Sequence, residues 1–312
     1  MTSTPTTAYP VGDGRSGKPV LFVGALIFDL MLRVDPLPAA PGKVLATGAS
    51  VHAAGMAASA ASAAARLGHP VALWAAVGDD MVADLLVAEM EREGVSTVHV
   101  HRGAGGRSAV SAVLVDAEGE RLVVPFYDPR LTGHLPPPPP FRDFAAVMVD
   151  VRWPPAAAAA LDGARAAGIP AVLDLDVGPR DVLAMLAPRA THVVASRAGA
   201  AILSGSDDPA ASAEWLATTL AADVAVTAGA EGVWWIPGSG EAPVHLPAHP
   251  VRAVDTNAAG DVFHGVYVAM LASGHPVEAC LRFANAAAAI KCTRPGGRAG
   301  APTRDEVDAF LR

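Results

Sequence analysis

The sequence is short of several things, and each shortage removes a class of protein. Its 312 residues include two cysteines, Cys280 and Cys292. Their spacing matches neither a metal-ligand motif nor a disulfide framework. Both fall in one segment that reads as a helix, so a reduced, cytoplasmic setting is expected. Aromatic residues make up only 5%, and there is no block of basic residues in a chain of net charge -8. Nucleic acid is therefore not an expected partner. No apolar run reaches bilayer length: "PVLFVGALIF" is closed by Asp29, which excludes a simple membrane span. Residues 1–18 lack the hydrophobic centre of a signal peptide and read as a disordered leader. What is present is a globular composition, 52% hydrophobic and rich in alanine. Residues 19–312 are long enough for one large α/β domain with a small appendage. An acidic chain that handles anionic ligands must gather its positive charge locally, so individual Lys and Arg positions matter.

The pattern along the chain alternates. Pro19–Phe28 reads as a first buried strand, "GMAASAASAAARLG" as an alanine-rich helix ended by Gly68, and "PVALWAAVG" as a strand. "MVADLLVAEMEREG" has apolar residues at helical spacing and stops at Gly94. "STVHVHR", "SAVSAVLVD" and "RLVVPFY" read as antiparallel strands. With residues 43–51 they are expected to form a small separate sheet, its strands drawn from about 33–51 and 97–128. The "PPPPPF" run is a stiff polyproline connector back to the main body; a proline-motif ligand is the alternative reading. Strands and helices then alternate to residue 227, which argues for a mainly parallel sheet covered on both faces. The end of the chain is helical, over 259–273, 276–292 and 303–311. Open parallel sheets bind ligands beyond the carboxyl ends of their strands. Asp29, Asp150, Asp174 and Gly229 all lie near such ends, and the small sheet could cover that face as a lid.

The stretch "DTNAAGDVFHG", Asp255–Gly265, carries the chemistry. Ala258, Ala259 and Gly260 leave amides uncovered where a helix begins, and those amides with the helix dipole favour an anion. Asp261 adds a carboxylate in the first turn. A carboxylate there can take the proton of an alcohol while the amides hold a phosphoryl group. The plainer alternative is that Asp261 only complements the dipole. His264 reads as a residue packed beneath this site, with a catalytic imidazole as the alternative.

This stretch resembles the "DTxGAGDxF" signature of the ribokinase-like, PfkB family of carbohydrate kinases. Ala258 stands for the usual glycine. The resemblance runs from Gly24 to the C-terminus. It implies a Rossmann-type, mainly parallel α/β sheet with helices on both faces and a small β-sheet lid. It implies ATP and Mg2+ as cofactors, and K+ or a similar ion at a loop including Asp255 and Thr256. "VGALIFD" resembles the family's opening strand, which implies a sugar-binding role for Asp29. "HAAGMAASAASAAARLG" resembles "GGxxxNxAxxxARLG", with Gly55 at the second glycine and Ser59 where an Asn usually binds sugar. A hydroxyl offers fewer bonds than an amide, and a purely close-packed alanine helix is the other reading. On the nucleotide side, "VTAGAEG" resembles "TxGxxG" through Thr227, Gly229 and Gly232. "ANAAAAIKCTRPGGRAG" supplies Asn285, Gly296 and Gly297. The family's "NxxE" is missing, with Ser196 and Gly199 in its place, so the usual support for magnesium must come from elsewhere.

"PGKVLA", "VDVRWP", "DVFHG" and "KCTRPGGRAG" together resemble the sulfofructose-kinase branch. The implied reaction is phosphorylation of the C1 hydroxyl of 6-deoxy-6-sulfofructose by ATP, with Lys43 and Arg152 as sulfonate-binding cations. Two cations flanking one cleft would suit a permanent anion. Lys43 could equally be a surface lysine, and Arg152 could pair with Asp150 or Asp174. Pro125 or Phe126 stands where that branch has a sulfonate-binding Asn. Arg107 is a further candidate cation, with a surface role as its alternative. Ketohexokinase, fructokinase, ketodeoxygluconate kinase and nucleoside kinase are the neighbouring readings, and a non-catalytic sugar or nucleotide binder is the reading outside the enzyme class. Free strand edges on the lid suggest a homodimer through it.

Overall fold

The computed structural model describes residues 17–238 and 240–312; residues 1–16 of the expected leader lie outside the described residues. The strands are β1 Val20–Gly24, β2 Ile27–Arg33, β3 Gly48–Ala54, β4 Val71–Gly78, β5 Val95–Ser96, β6 His101–Gly103, β7 Ala109–Val115, β8 Arg121–Phe126, β9 Ala146–Val149, β10 Ala171–Leu175, β11 His192–Ser196, β12 Asp223–Thr227, β13 Val233–Ile236 and β14 Val244–Leu246. The helices are α1 Met56–Arg66, α2 Met81–Arg92, α3 Pro129–Thr132, α4 Pro154–Ala166, α5 Arg180–Leu186, α6 Arg197–Ser204, α7 Pro209–Thr219, α8 Ala259–Ala272, α9 Val277–Cys292 and α10 Arg304–Phe310.

Ten strands form the large sheet in the order β14-β13-β12-β11-β10-β9-β1-β4-β5, with β6 also paired to β4. Pairing is parallel from β12 through β4 to β5, and antiparallel only where β13 and β14 close the far edge. Successive residues of β1 serve opposite cores. Val20 and Phe22 face the layer of α1, α2, α8, α9 and α10, while Leu21 and Val23 face α4 to α7. That is why the central strands are apolar at every position rather than at alternate ones.

The alanine-rich α1 is buried along most of its length against α8, with little side chain between the two helices. A Cβ at Gly265 would stand 2.1 Å from the Ala60 carbonyl oxygen. Small residues here set the distance between the helices that carry the site.

The lid is a four-stranded sheet in the order β3-β2-β7-β8. Its placement differs from the sequence reading in two respects. The first buried strand stops at Gly24, and the chain crosses at Ala25–Leu26 into the lid, so Asp29 belongs to lid strand β2. Residues 95–103 do not join the lid. β5 and β6 pair in parallel with β4 and extend the large sheet. Most of the "VHVH" alternation forms no strand: Val98 and His99 lie in a turn where Val100 N donates to the Thr97 carbonyl at 2.8 Å, and the chain's path after α2 brings only the flanking residues 95–96 and 101–103 to β4.

Candidate active site

Alternation along the lid strands sorts their side chains. Asp29, Met31 and Arg33 of β2, His52 of β3, and Arg121, Val123 and Pro125 of β8 face a cleft of about 1340 Å³ between the lid and the main body. Phe28, Leu30, Val110, Val124 and Phe126 occupy the opposite face by register. Of the two residues proposed at the missing Asn position, Pro125 therefore lines the cleft and Phe126 does not.

The floor of the cleft is the start of α8. Ala258 takes a left-handed backbone, φ 59°, the only non-glycine positive φ among the described residues. The family's glycine would hold this shape without strain, whereas alanine pays for its Cβ. Asp255 builds the turn. Its Oδ1 accepts from the Asn257 amide at 2.8 Å, and its Oδ2 accepts from the Gly296 and Gly297 amides at 3.0 Å each. Burial alone would raise the Asp255 carboxyl, but these amides and Lys291 bring it below its usual range. Of the expected amide set, Ala259 donates to the Thr256 carbonyl at 3.3 Å. The Gly260 and Asp261 amides have no protein acceptor among the described residues, and the space where a Gly260 Cβ would stand is open.

Asp261 lines the cleft directly. Its carboxyl is pushed up to about 8, first by burial, then by the like charge of Asp174, with Asp176 and Asp150 adding to it and His264 opposing it. These carboxylates have fixed structural partners. Asp150, fully buried, accepts from Ala25 N at 2.7 Å, Arg152 N at 2.8 Å and Ala57 N at 3.1 Å. It thereby ties the exit of β1 to the start of α1. Asp174 lies 3.3 Å from His264 Nε2. His264 is buried below the site, with Nδ1 2.8 Å from the Gly260 carbonyl and Nε2 3.1 Å from that of Val194. It anchors the first turn of α8 to β11.

Gly55 and Ser59 also line the cleft. Gly55 has φ 109°, and a Cβ there would meet the Ala25 carbonyl oxygen at 2.3 Å, so only glycine fits where β3 turns into α1. Asp29 lies across the cleft on the lid. Burial raises its carboxyl above the usual value, against the pull of Ser111 and His52.

The expected cations separate. Arg152 lines the cleft and also a small pocket shared with Arg107 and Tyr127. Its guanidinium has no ion pair within the described residues, so the pairing with Asp150 or Asp174 does not form; Asp150 holds its backbone amide instead. Lys43 stands exposed in the loop before β3 and lines neither cavity. Arg107 meets Arg152 in its place. The Tyr127 hydroxyl, pushed up to about 12 by burial and then by Asp150, stays a donor.

Of the expected nucleotide residues, Gly296 and Gly297 line the cleft. Thr227, Gly229 and Gly232 lie outside it at the carboxyl end of β12. There Thr227 Oγ1 donates to the Ala195 carbonyl, and a Gly232 Cβ would crowd Leu246 O at 2.2 Å. Asn285 is buried and donates to the Pro247 carbonyl at 2.8 Å, so its side chain holds a loop and does not line the cleft. At the altered "NxxE", Ser196 caps α6 through the Gly199 amide and donates to Asp176 Oδ1 at 2.7 Å. A side chain at Gly199 would meet the Leu175 carbonyl oxygen at 2.2 Å, which leaves no room for glutamate. Asp176, missed in the sequence, reaches the cleft from the end of β10 instead. Arg121 and Lys291 were also missed. Arg121 joins lid to floor through Asn257 Oδ1 at 2.8 Å and Thr256 Oγ1 at 3.2 Å. No local pattern marks these three, because each is defined by a distant partner.

A model of the pfkB family of carbohydrate kinases matches residues 18–304. The chain belongs to that family. Among curated proteins, the Bacillus subtilis ribokinase is 28% identical over 94% of this chain and 99% of its own length. The ATP-dependent ribose-1-phosphate kinase of Halopiger xanaduensis is 32% identical over 94% and 97%. Among solved structures, a candidate ribokinase from Agrobacterium tumefaciens is 42% identical, with TM-score 0.89 over 95% of this chain and 97% of that one. The Arabidopsis thaliana ribokinase complexed with ribose and ATP shares the fold at 21% identity, TM-score 0.83, over 95% and 99%. This carbohydrate kinase is thus an ATP-dependent phosphotransferase with the expected ribokinase-like sheet and lid. Among the described residues no helix is long and apolar enough to cross a membrane.

Proposed function

We propose that this kinase transfers the γ-phosphoryl group of ATP to a primary hydroxyl of a sugar bearing an anionic group. The leading candidate is 6-deoxy-6-sulfofructose, phosphorylated at its C1 hydroxyl. Asp29 and Ser59 hold sugar hydroxyls, and Arg152, with Arg107 and Tyr127 beside it, receives the anion. Asp261 takes the proton of the attacking hydroxyl. The new O–P bond forms in line as the bond to the β-phosphate oxygen breaks, giving sugar phosphate and ADP. The free amides of Gly260 and Asp261 stabilise charge on the transferring group. Thr227, Gly229, Gly232, Gly296 and Gly297 border the nucleotide.

The described residues contain no cluster of three metal-ligating side chains. That fits Mg2+ arriving with ATP, since this ion keeps waters and needs one or two carboxylates beside the phosphates. Asp176, which lines the cleft, would hold it, and when bound it would neutralise phosphate charge.

The observation that carries the reading is one cleft containing Asp261 beside free amides, Asp29 opposite, and an unpaired Arg152. Ribose 1-phosphate is the second candidate, favoured by the Halopiger relative. The test is an ADP-release assay over 6-deoxy-6-sulfofructose, ribose 1-phosphate, fructose and ribose. Arg152→Ala should lower kcat/KM on the preferred anionic sugar about 100-fold, as expected when one partner of a desolvated charge pair is removed. Equal losses on anionic and neutral sugars would overturn the anion-binding assignment. A lid-to-lid homodimer belongs to the same proposal. Leu30, Val51, Val124 and Phe126 leave an apolar outer lid face exposed, and light scattering would read its mass.

A further inference from the structure

The resemblance to the family places a monovalent cation at the Asp255–Thr256 loop, and the residues of this chain do not fit a free ion there. Lys291, one of three lysines in the sequence, extends from the last turn of α9 to the same place. Its side chain is 0% exposed. Its Nζ donates to the Asp255 carbonyl at 2.6 Å and lies 3.4 Å from Asp255 Oδ2. The other acceptor capacity of that carboxylate is taken by the amides of Asn257, Gly296 and Gly297. An inorganic cation would have to share these oxygens with an ammonium group already on them. Two like charges on the same oxygens repel.

The position of Lys291 explains what the charge does. Val254 and Asp255 donate to the Cys292 carbonyl at 2.7 and 3.1 Å, so the end of α9 is stitched to the loop that opens α8. Asp255 in turn gathers the 296–297 loop. Without a cation, a carboxylate would stand unneutralised a few residues from the amides that receive a phosphoryl group.

We infer that Lys291 is a tethered replacement for the monovalent cation. Its ammonium neutralises Asp255 and fixes the two loops at the head of α8, and the kinase works without K+. The rate arm of the test rests on the proposed reaction; the melting arm does not. Wild-type protein is compared in potassium chloride and tetramethylammonium chloride at equal ionic strength. Its melting temperature and ATP-dependent rate should be the same in both. Lys291→Ala, which vacates the ammonium position, should melt lower and turn over more slowly. Both defects should be repaired by K+ or NH4+ and not by tetramethylammonium, because an ion that binds only the folded form stabilises it, by an amount that grows with the logarithm of its concentration above Kd. Lys291→Met, which fills the space without charge, should show the loss and no repair. A wild-type rate raised severalfold by K+, or wild-type melting raised by K+, would overturn the inference. So would a folded Lys291→Ala protein indifferent to K+. If that variant does not fold, the wild-type comparison decides alone, and its melting arm stays readable even if the substrate is another sugar.

Discussion

Asp261 is asked to act as a base while its surroundings hold it protonated, and that conflict has a measurable consequence. Burial and the facing Asp174 push its carboxyl up to about 8. The working form of a base is the ionised one, so the rate must rise with pH. Two pH units below such a value about 1% of a carboxyl is ionised, and one unit below about 10%. kcat/KM should therefore climb close to tenfold per unit from pH 6 and level off above about 8. The assay is initial-rate ADP release between pH 6 and 9, with excess coupling enzyme verified at each pH. Asp261→Asn supplies the control. It should lose roughly 10²- to 10⁴-fold in rate, the range for a positioned general base, and its residual activity should lose the slope. A wild-type profile already flat at pH 6, or an Asp261→Asn variant with near wild-type turnover, would refute the assignment.

Three further outcomes follow from the geometry. Ala258→Gly relieves a left-handed alanine and should stabilise the protein by about 0.5–1 kcal/mol, read as a higher denaturation midpoint; no change would mean that the turn is not strained. Gly265→Ala places a Cβ 2.1 Å from the Ala60 carbonyl oxygen and should cost about 1–3 kcal/mol by forcing α1 and α8 apart, with chemical denaturation as the check. Arg298 is buried between Glu89 and Glu93, and Glu89 also accepts from Ala53 N of the lid at 3.0 Å. Arg298→Met strands the two half-buried carboxylates and should destabilise by about 1–3 kcal/mol, read by chemical denaturation.

Much of this was legible in the chain. Local periodicity marked the alternating strands and helices, because a strand apolar at every position and a helix ended by glycine are fixed by nearby residues. "DTNAAGD" marked the floor of the site, since the amides and the carboxylate come from one turn. Lid strands β7 and β8 were legible as strands, but the central lid strand β2 was partly merged into the first buried strand, and "STVHVHR" was assigned to the lid although its ends pair with β4. Alternation does not tell a pairing segment from a turn, and a short strand does not encode its neighbour.

What only the tertiary structure decided is which distant charges share a space. Arg107 rather than Lys43 joins Arg152, because β3 begins only at Gly48 and leaves Lys43 in solvent. Asp150 serves the Arg152 amide of its own turn and two distant amides, those of Ala25 and Ala57. Lys291 meets Asp255 across 36 residues of sequence, where the end of one helix returns to the head of another. Sequence by itself fixed the local geometry, from backbone turns and side-chain period. The electrostatics of the site depended on how those pieces converge at the carboxyl edge of the sheet, because a charge acts through distance in space and spacing along the chain does not record that distance.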